Sequence, residues 1–178
     1  MLLGACLWLA SAGALAWNNG EHDGRDGRVQ HGVIRCGGNH FVRLGGTELH
    51  FVNYVFRNRS SKGAITVERL VFYDATGTLL YDSKISGFPL FSNGVLGPGD
   101  QVLKPNQTGQ LDVHTFIPYL SQAQRPMQLE VDWSAREHVP PLTVDLVRLV
   151  QQLDPVTQAQ GAEKTRDSQD CDELGDLE

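Results

Sequence analysis

Three cysteines are the residues of this sequence with the clearest chemical potential. Cys6 lies inside an apolar N-terminal run, whereas Cys36 and Cys171 lie in the rest of the chain. An even number of cysteines outside a leader favours a disulfide in an oxidising compartment. We therefore predict a bridge between Cys36 and Cys171, with two unrelated thiols as the alternative. The two residues are too far apart in sequence to match the spacing of a zinc site.

The histidines are the second group that could do chemistry. No His-x-His or His-x₃-His pair occurs among the six, which are His22, His31, His40, His50, His114 and His138. A weak ion site could form from His22, Asp23, Asp26 and His31, but we favour a solvated, glycine-rich segment there. Chaperones of soft metals use clusters of Met and His, and Met127 is the one methionine after Met1. We predict no metal ligand and no cofactor.

Catalytic motifs are missing from the sequence. There is no Gly-x-Ser-x-Gly motif, no phosphate-binding glycine loop and no dinucleotide fingerprint. Glu130 and Asp132 stand two residues apart, a spacing that paired carboxylates of a glycosidase could use from a sheet. The same spacing is typical of the wet face of a strand, which is the interpretation we prefer. We therefore predict no catalytic residue and a protein that is not an enzyme.

The charge distribution excludes another class. The formal net charge is −6, and residues 154–178 contain eight acidic and two basic residues, so the rest of the chain is neutral. A nucleic-acid binder needs a basic surface, so nucleic acid is not expected as a partner. The composition of residues 154–178 predicts a disordered acidic tail.

Residues 1–16 have the length and apolar character of a signal peptide. They end in Ala14-Leu15-Ala16, which predicts cleavage after Ala16 and a periplasmic or secreted protein. No Lys or Arg precedes the apolar run, and a buried N-terminal helix is the alternative. The segment before Cys6 also resembles a lipobox, so lipidation at Cys6 is a second alternative. The sequence contains no run of eighteen apolar residues, so no transmembrane helix is predicted.

The remaining pattern predicts strands. Residues 17–32 are glycine-rich and predicted to be flexible, and residues 33–153 form the predicted domain. Residues 127–133 alternate cleanly between apolar and polar side chains, as antiparallel strands do. In residues 64–74 the apolar phase shifts midway, which predicts either a β-bulge near Glu68 and Arg69 or a strand that is buried on both faces. Residues 142–153 fit a helix or a strand, and we favour a last strand over residues 142–150.

One long loop, residues 85–102, carries an unusual amount of apolar surface in Phe88, Leu90, Phe91 and Leu96. Exposed apolar loops often bind partners, so these four residues are candidate partner-binding residues. The alternative, which we favour, is that the loop folds back and closes one end of the core.

The middle of the chain resembles the FxLYD-type exported bacterial domains, which are immunoglobulin-like. The resemblance covers residues 49–113 and rests on the segments at 56–61, 70–74 and 103–106 together with Gly77. Asn106 stands where that family usually has glycine, and the loop over residues 85–102 is longer. The resemblance implies an extracytoplasmic immunoglobulin-like β-sandwich and supplies no catalytic or ligand-binding residue.

Together these observations predict an all-β, immunoglobulin-like antiparallel β-sandwich without enzymatic activity. The expected function is that of an exported module that binds a protein partner or serves as an accessory protein of the cell envelope. The alternative is a periplasmic protein that binds a metal or a small molecule, including a lipoprotein anchored through Cys6.

Overall fold

The computed structural model of the protein describes residues 29–37, 43–44, 47–117, 126–136, 138–157 and 159–174. The side chains of residues 43–44, 49–51, 114 and 164–165 are not part of the description. The predicted signal peptide, the lipobox around Cys6 and the segment with His22 lie outside the described residues.

The described residues form two antiparallel sheets. Sheet A has the strand order β11-β1-β8-β4-β5, with β6 paired to β4; its strands are β1 (Gln30–Gly37), β4 (Ile65–Tyr73), β5 (Leu79–Asp82), β6 (Val102–Leu103), β8 (Gln128–Ala135) and β11 (Asp172–Leu174). Sheet B has the order β10-β9-β3-β2, with β7 paired to β3; its strands are β2 (Arg43–Leu44), β3 (Glu48–Arg57), β7 (Thr108–Asp112), β9 (Thr143–Leu153) and β10 (Gln160–Asp170). A one-turn helix, α1 (Ser83–Ser86), and a 3₁₀ turn (Val113–Thr115) complete the described elements. The predicted all-β antiparallel sandwich is confirmed.

The core lies between the sheets because apolar side chains alternate along each long strand. Sheet A contributes Leu129, Val131 and Trp133 from β8, and sheet B contributes Tyr54 and Phe56 from β3, all at most 1% exposed. Removing these side chains from water is the main favourable contribution to folding. Trp133 also explains a glycine, since a Cβ at Gly32 of β1 would lie 2.4 Å from its Nε1 atom.

A register shift interrupts the pairing of β4 with β8 between Val67 and Arg69. The extra residue is Glu68, so the predicted bulge is confirmed. It reverses the phase of the strand, which lets Val67 on one side of it and Leu70 on the other both point into the core.

The end of the chain differs from the expected disordered tail. Residues 143–153 form the predicted last strand, but the chain then turns and returns as β10, which pairs with β9. Asp154 closes this turn by accepting hydrogen bonds from the backbone N–H groups of Val156 and Thr157. A polar strand at a sheet edge is held by backbone hydrogen bonds, and amino-acid composition gives no information about these bonds. We call residues 159–174 the C-terminal arm.

The start of the domain also differs from the prediction. β1 begins at Gln30, inside the segment predicted to be flexible. Gly32 lies within the pairing of β1 with β8, opposite Trp133. The glycine that indicated flexibility is therefore needed for close packing against an indole ring.

Candidate functional site

Residues 87–101, between α1 and β6, form a loop that places apolar side chains in the core. We call it the plug loop. Phe88, Phe91 and Leu96 are buried, with exposed fractions of 6%, 1% and 1%, whereas Leu90 is 64% exposed. The ring of Phe91 packs edge-on against Phe56 of β3, with 5.0 Å between centroids. The proposal of a docking surface is thus corrected for Phe88, Phe91 and Leu96, because burial in the core removes them from contact with a partner.

The disulfide between Cys36 and Cys171 is confirmed. The S–S distance is 2.04 Å and the two Cα atoms are 4.6 Å apart. Cys36 belongs to β1 and is 1% exposed, whereas Cys171 lies between β10 and β11 and is half-buried. The bridge therefore ties the C-terminal arm to the core.

A cleft of about 580 Å³ opens at the end of sheet A where β1 and β4 begin and β8 ends. Its lining combines two hydroxyl groups, two opposite charges and small apolar side chains, from Val29, Ala64, Thr66, Glu68, Val102, Ser134, Ala135 and Arg136. We call it the Glu68 cleft. Its volume falls within the range of about 300–1,000 Å³ that is typical of ligand sites.

Glu68, the extra residue of the bulge in β4, supplies the carboxylate of this cleft. Ser134 of β8 lies directly opposite Thr66 of β4 and His31 of β1 in the sheet register. The Ser134 hydroxyl donates a hydrogen bond to Glu68 Oε1, across the strands. Glu68 follows Thr66 by two residues, so alternation places its side chain on the face of Ser134, and the bulge changes the phase of the residues after Glu68.

Val29, Val102 and Arg136 are among the lining residues exposed to solvent. Val29 and Val102 are 47% and 37% exposed. The guanidinium group of Arg136 is exposed at the same rim. The cleft thus offers an acceptor, a cationic donor and two apolar contacts within one opening.

The described hydrogen bond of the Ser134 side chain goes to a carboxylate, since the hydroxyl donates to Glu68 Oε1. An activated serine uses a general base, usually a histidine that a carboxylate orients. His31 lies opposite Ser134 in the register of β1 with β8, and no hydrogen bond between these two side chains is among those described.

The carboxylates at Glu130 and Asp132 point outward on β8, as the alternation indicates. The Arg35 Nε atom donates to Glu130 Oε2 at 3.0 Å, and Arg69 Nη1 lies 4.0 Å from Asp132 Oδ2. Burial and the charge of Glu130 raise the pKa of Asp132, although Arg69 acts in the opposite direction. Lateral ion pairing on a sheet surface accounts for both carboxylates.

Arg69 is engaged mainly by Asp82 at the end of β5. Its Nε and Nη2 atoms donate to Asp82 Oδ1 and Oδ2 at 3.0 and 2.5 Å. Asp82 also accepts from the backbone N–H of Lys84 and so caps α1. The Arg69 hydrogen bond lowers the pKa of Asp82. This ion pair anchors the point at which the chain leaves sheet A for the plug loop.

No group of three or more potential metal ligands occurs among the residues that the structure describes. His31 and His138 are the histidines with described side chains, and both are exposed. His22, Asp23 and Asp26 lie outside the described residues.

The turns that carry the family resemblance have structural roles. Asp74 Oδ1 accepts hydrogen bonds from the backbone N–H groups of Thr76 and Thr78, and Gly77 has a φ of 82°. Asn106 also adopts a left-handed φ of 60°, where the family usually has glycine. Asn58 is buried and its amide donates to the backbone oxygens of Gly63 and Leu103. These residues shape turns and do not converge on the cleft.

The residues of the Glu68 cleft were absent from the sequence-based candidates. The one signal pointing there was the apolar phase shift around Glu68, which predicted the bulge. The lining residues come from four separate stretches of chain, so that only the fold brings them together.

Comparisons with known proteins show little. No family model matches the sequence, and a search of curated proteins finds no match. Among solved structures, the chain is similar to "Crystal Structure of Thermotoga maritima 1070", with 10% identity, 80% of this chain and 91% of that chain covered, and a TM-score of 0.38. A TM-score this low supports no statement about function.

Within the described residues, no helix is long and apolar enough to cross a membrane.

Proposed function

We propose that the protein is an exported, non-enzymatic β-sandwich module that binds an extended segment of a protein partner in the Glu68 cleft. The observation that carries this proposal is the convergence of Glu68, Arg136, Val29 and Val102 on one opening of about 580 Å³. Protein interfaces combine apolar contacts with a polar, solvent-accessible rim, and this opening places two partly exposed valines beside a carboxylate and a guanidinium group.

Export is supported by two independent features. The Cys36–Cys171 disulfide is typical of oxidising compartments, and residues 1–16 have the composition of a signal peptide. The resemblance to exported FxLYD-type domains agrees with both. We therefore place the protein in the periplasm or outside the cell.

Chemical complementarity favours a peptide as the occupant. An extended chain alternates its side chains, so an apolar residue can contact Val102 while a basic residue reaches Glu68. Arg136 can then donate hydrogen bonds to a carboxylate or a carbonyl oxygen of the same segment. A small molecule with the same groups is the second candidate, since the volume of the cleft accommodates one.

Affinity capture from the native envelope tests the proposal, using the full chain as bait. Val102→Glu places a charge in the cleft, and Val156→Glu makes the same change in the turn before β10, where the valine is 88% exposed. We expect wild type and Val156→Glu to capture the same partner and Val102→Glu to lose it.

The circular dichroism of both variants must match that of wild type for the comparison to hold. Glu68→Gln, which keeps an acceptor for Ser134, should weaken capture without changing the fold. Equal capture by wild type, Val102→Glu and Glu68→Gln would overturn the role of the cleft.

A further inference from the structure

The C-terminal arm is bound to the domain in an unusual way. Its described side chains are all exposed except those of Cys171 and Leu174, which are half-buried. Every other long strand of the sandwich contributes buried apolar side chains to the core, β9 for example through Val144 and Leu146. The arm therefore gains almost no stability from hydrophobic burial.

Three kinds of contact hold the arm in place. Backbone pairing joins β10 to β9 and β11 to β1, and the N–H of Cys171 donates to the Val144 oxygen at 2.9 Å. Arg148 and Asp167 form an ion pair whose side chains are 48% and 50% exposed, and such pairs contribute little. The third contact is the disulfide to Cys36.

Cys171 marks the point at which the arm crosses from one sheet to the other. The strand before Cys171, β10, is the edge strand of sheet B and pairs with β9. The strand after Cys171, β11, is the edge strand of sheet A and pairs with β1. Without the arm, β9 and β1 would themselves be edge strands. One covalent bond to a buried cysteine thus fixes the segment that covers two sheet edges. An uncovered edge exposes unpaired backbone groups and is a template for an added strand.

From this placement we propose that the Cys36–Cys171 disulfide is a redox-sensitive latch. Its reduction releases the C-terminal arm and uncovers the edges of β9 and β1, while the two-sheet core remains folded. The inference does not depend on the Glu68 cleft, because Cys36 lies near the end of β1 whereas Val29 lies just before its start.

The reductant is a dithiol. Its thiolate attacks the sulfur of Cys171, which is more exposed than that of Cys36, and forms a mixed disulfide while Cys36 leaves as a thiolate. The second thiol of the reagent then displaces Cys171 and closes the oxidised reagent into a cyclic disulfide. Two electrons pass to the protein, and the two protons of the dithiol end on Cys36 and Cys171.

Trypsin digestion of the folded, full-length protein before and after treatment with dithiothreitol tests the latch. Lys164 and Arg166 lie within β10, and proteolysis follows the population of the open segment. We expect cleavage at these two sites to accelerate by about tenfold or more on reduction. The near-ultraviolet circular dichroism of the buried Trp133 should stay unchanged.

The variant Cys171→Ala provides a second measurement without a reagent, and it leaves Cys36 in the core as a small apolar side chain. It should show the same rapid cleavage in the absence of dithiothreitol. Loss of the Trp133 signal together with release of the arm would show that the core needs the disulfide to stay folded, and this would overturn the proposal. Unchanged cleavage in both the reduced protein and the variant would overturn it as well, because backbone pairing alone would then hold the arm.

Discussion

The plug loop and the C-terminal arm are held to the same sandwich by opposite means. The plug loop has little regular structure, yet Phe91 and Leu96 are 1% exposed and belong to the core. The arm is mostly regular strand, yet its described side chains leave the core almost untouched. Regular backbone structure and hydrophobic anchoring are therefore separate properties, and each region should respond to a different perturbation.

The largest effect on stability should come from removing the buried ring of Phe91 in the plug loop. Phe91→Ala removes a ring that packs on Phe56 and leaves a cavity, which should lower the free energy of unfolding by about 3–5 kcal/mol. Urea denaturation followed by tryptophan fluorescence measures it. Leu90→Ala is the matched control, since Leu90 is 64% exposed. Similar losses for the two variants would contradict burial of the loop.

A smaller loss of stability should follow from adding a methyl group at Gly109, next to the ring of Phe91. A Cβ at Gly109 of β7 would lie 2.9 Å from Cδ1 of Phe91, so Gly109→Ala should cost about 1–3 kcal/mol. The double variant Gly109→Ala with Phe91→Leu frees that space and should recover part of the loss relative to the sum of the single changes. Strict additivity in the denaturation experiment would show that the two residues do not touch.

The anchor at the start of the plug loop should respond to pH. Because Arg69 lowers the pKa of Asp82 in the folded protein, this carboxylate stabilises the fold above its unfolded pKa of about 4. That contribution is lost as the pH falls through the folded pKa. Asp82→Asn should cost about 1–2 kcal/mol at pH 7, allowing for partial solvent screening, and progressively less as the pH falls through the lowered pKa of Asp82.

Asp132 supplies the matched control for this experiment, since burial raises its pKa and its ionised form is disfavoured in the folded protein. Asp132→Asn should therefore leave stability at pH 7 unchanged or slightly higher. Denaturation midpoints across pH 3 to 7 would contradict the assignment if the two variants lost stability in parallel.

The smallest effect on stability should come from removing the ion pair between Asp167 of the C-terminal arm and Arg148. Asp167→Asn should leave the global denaturation midpoint unchanged, because Asp167 and Arg148 are both about half exposed. Trypsin cleavage in β10 of the oxidised protein should change little and lose any dependence on salt. A large fall in the global midpoint would show that the arm is integrated with the core, contrary to the comparison.

Sequence reasoning succeeds where one pattern dominates. The alternation over residues 127–133 predicted β8, and the phase shift in residues 64–74 predicted the bulge at Glu68, because the two-residue period of a strand leaves few alternatives. The cysteine count predicted the disulfide once the leader was set aside. Asp74 and Gly77 predicted a turn for the same local reason.

It fails where long-range contacts decide the outcome. Composition shows that residues 159–174 cannot be buried, but not that a polar strand can pair at an edge and be tied down by Cys171. It shows that residues 85–102 are rich in apolar side chains, but only the position of Phe56 and Gly109 in the fold determines which of them are buried. The Glu68 cleft assembles residues from four stretches of chain, which no local pattern joins.

Hydrogen exchange of the oxidised, unmodified protein, resolved by segment, tests the contrast between the two regions most directly. We predict that amides bonded within the plug loop, such as that of Phe91, exchange only on global unfolding, together with those of β3, β4 and β8. The amides of β10 should exchange through a smaller opening at a lower free energy. Exchange of β10 at the global free energy, or exchange of the plug loop well below it, would contradict the account.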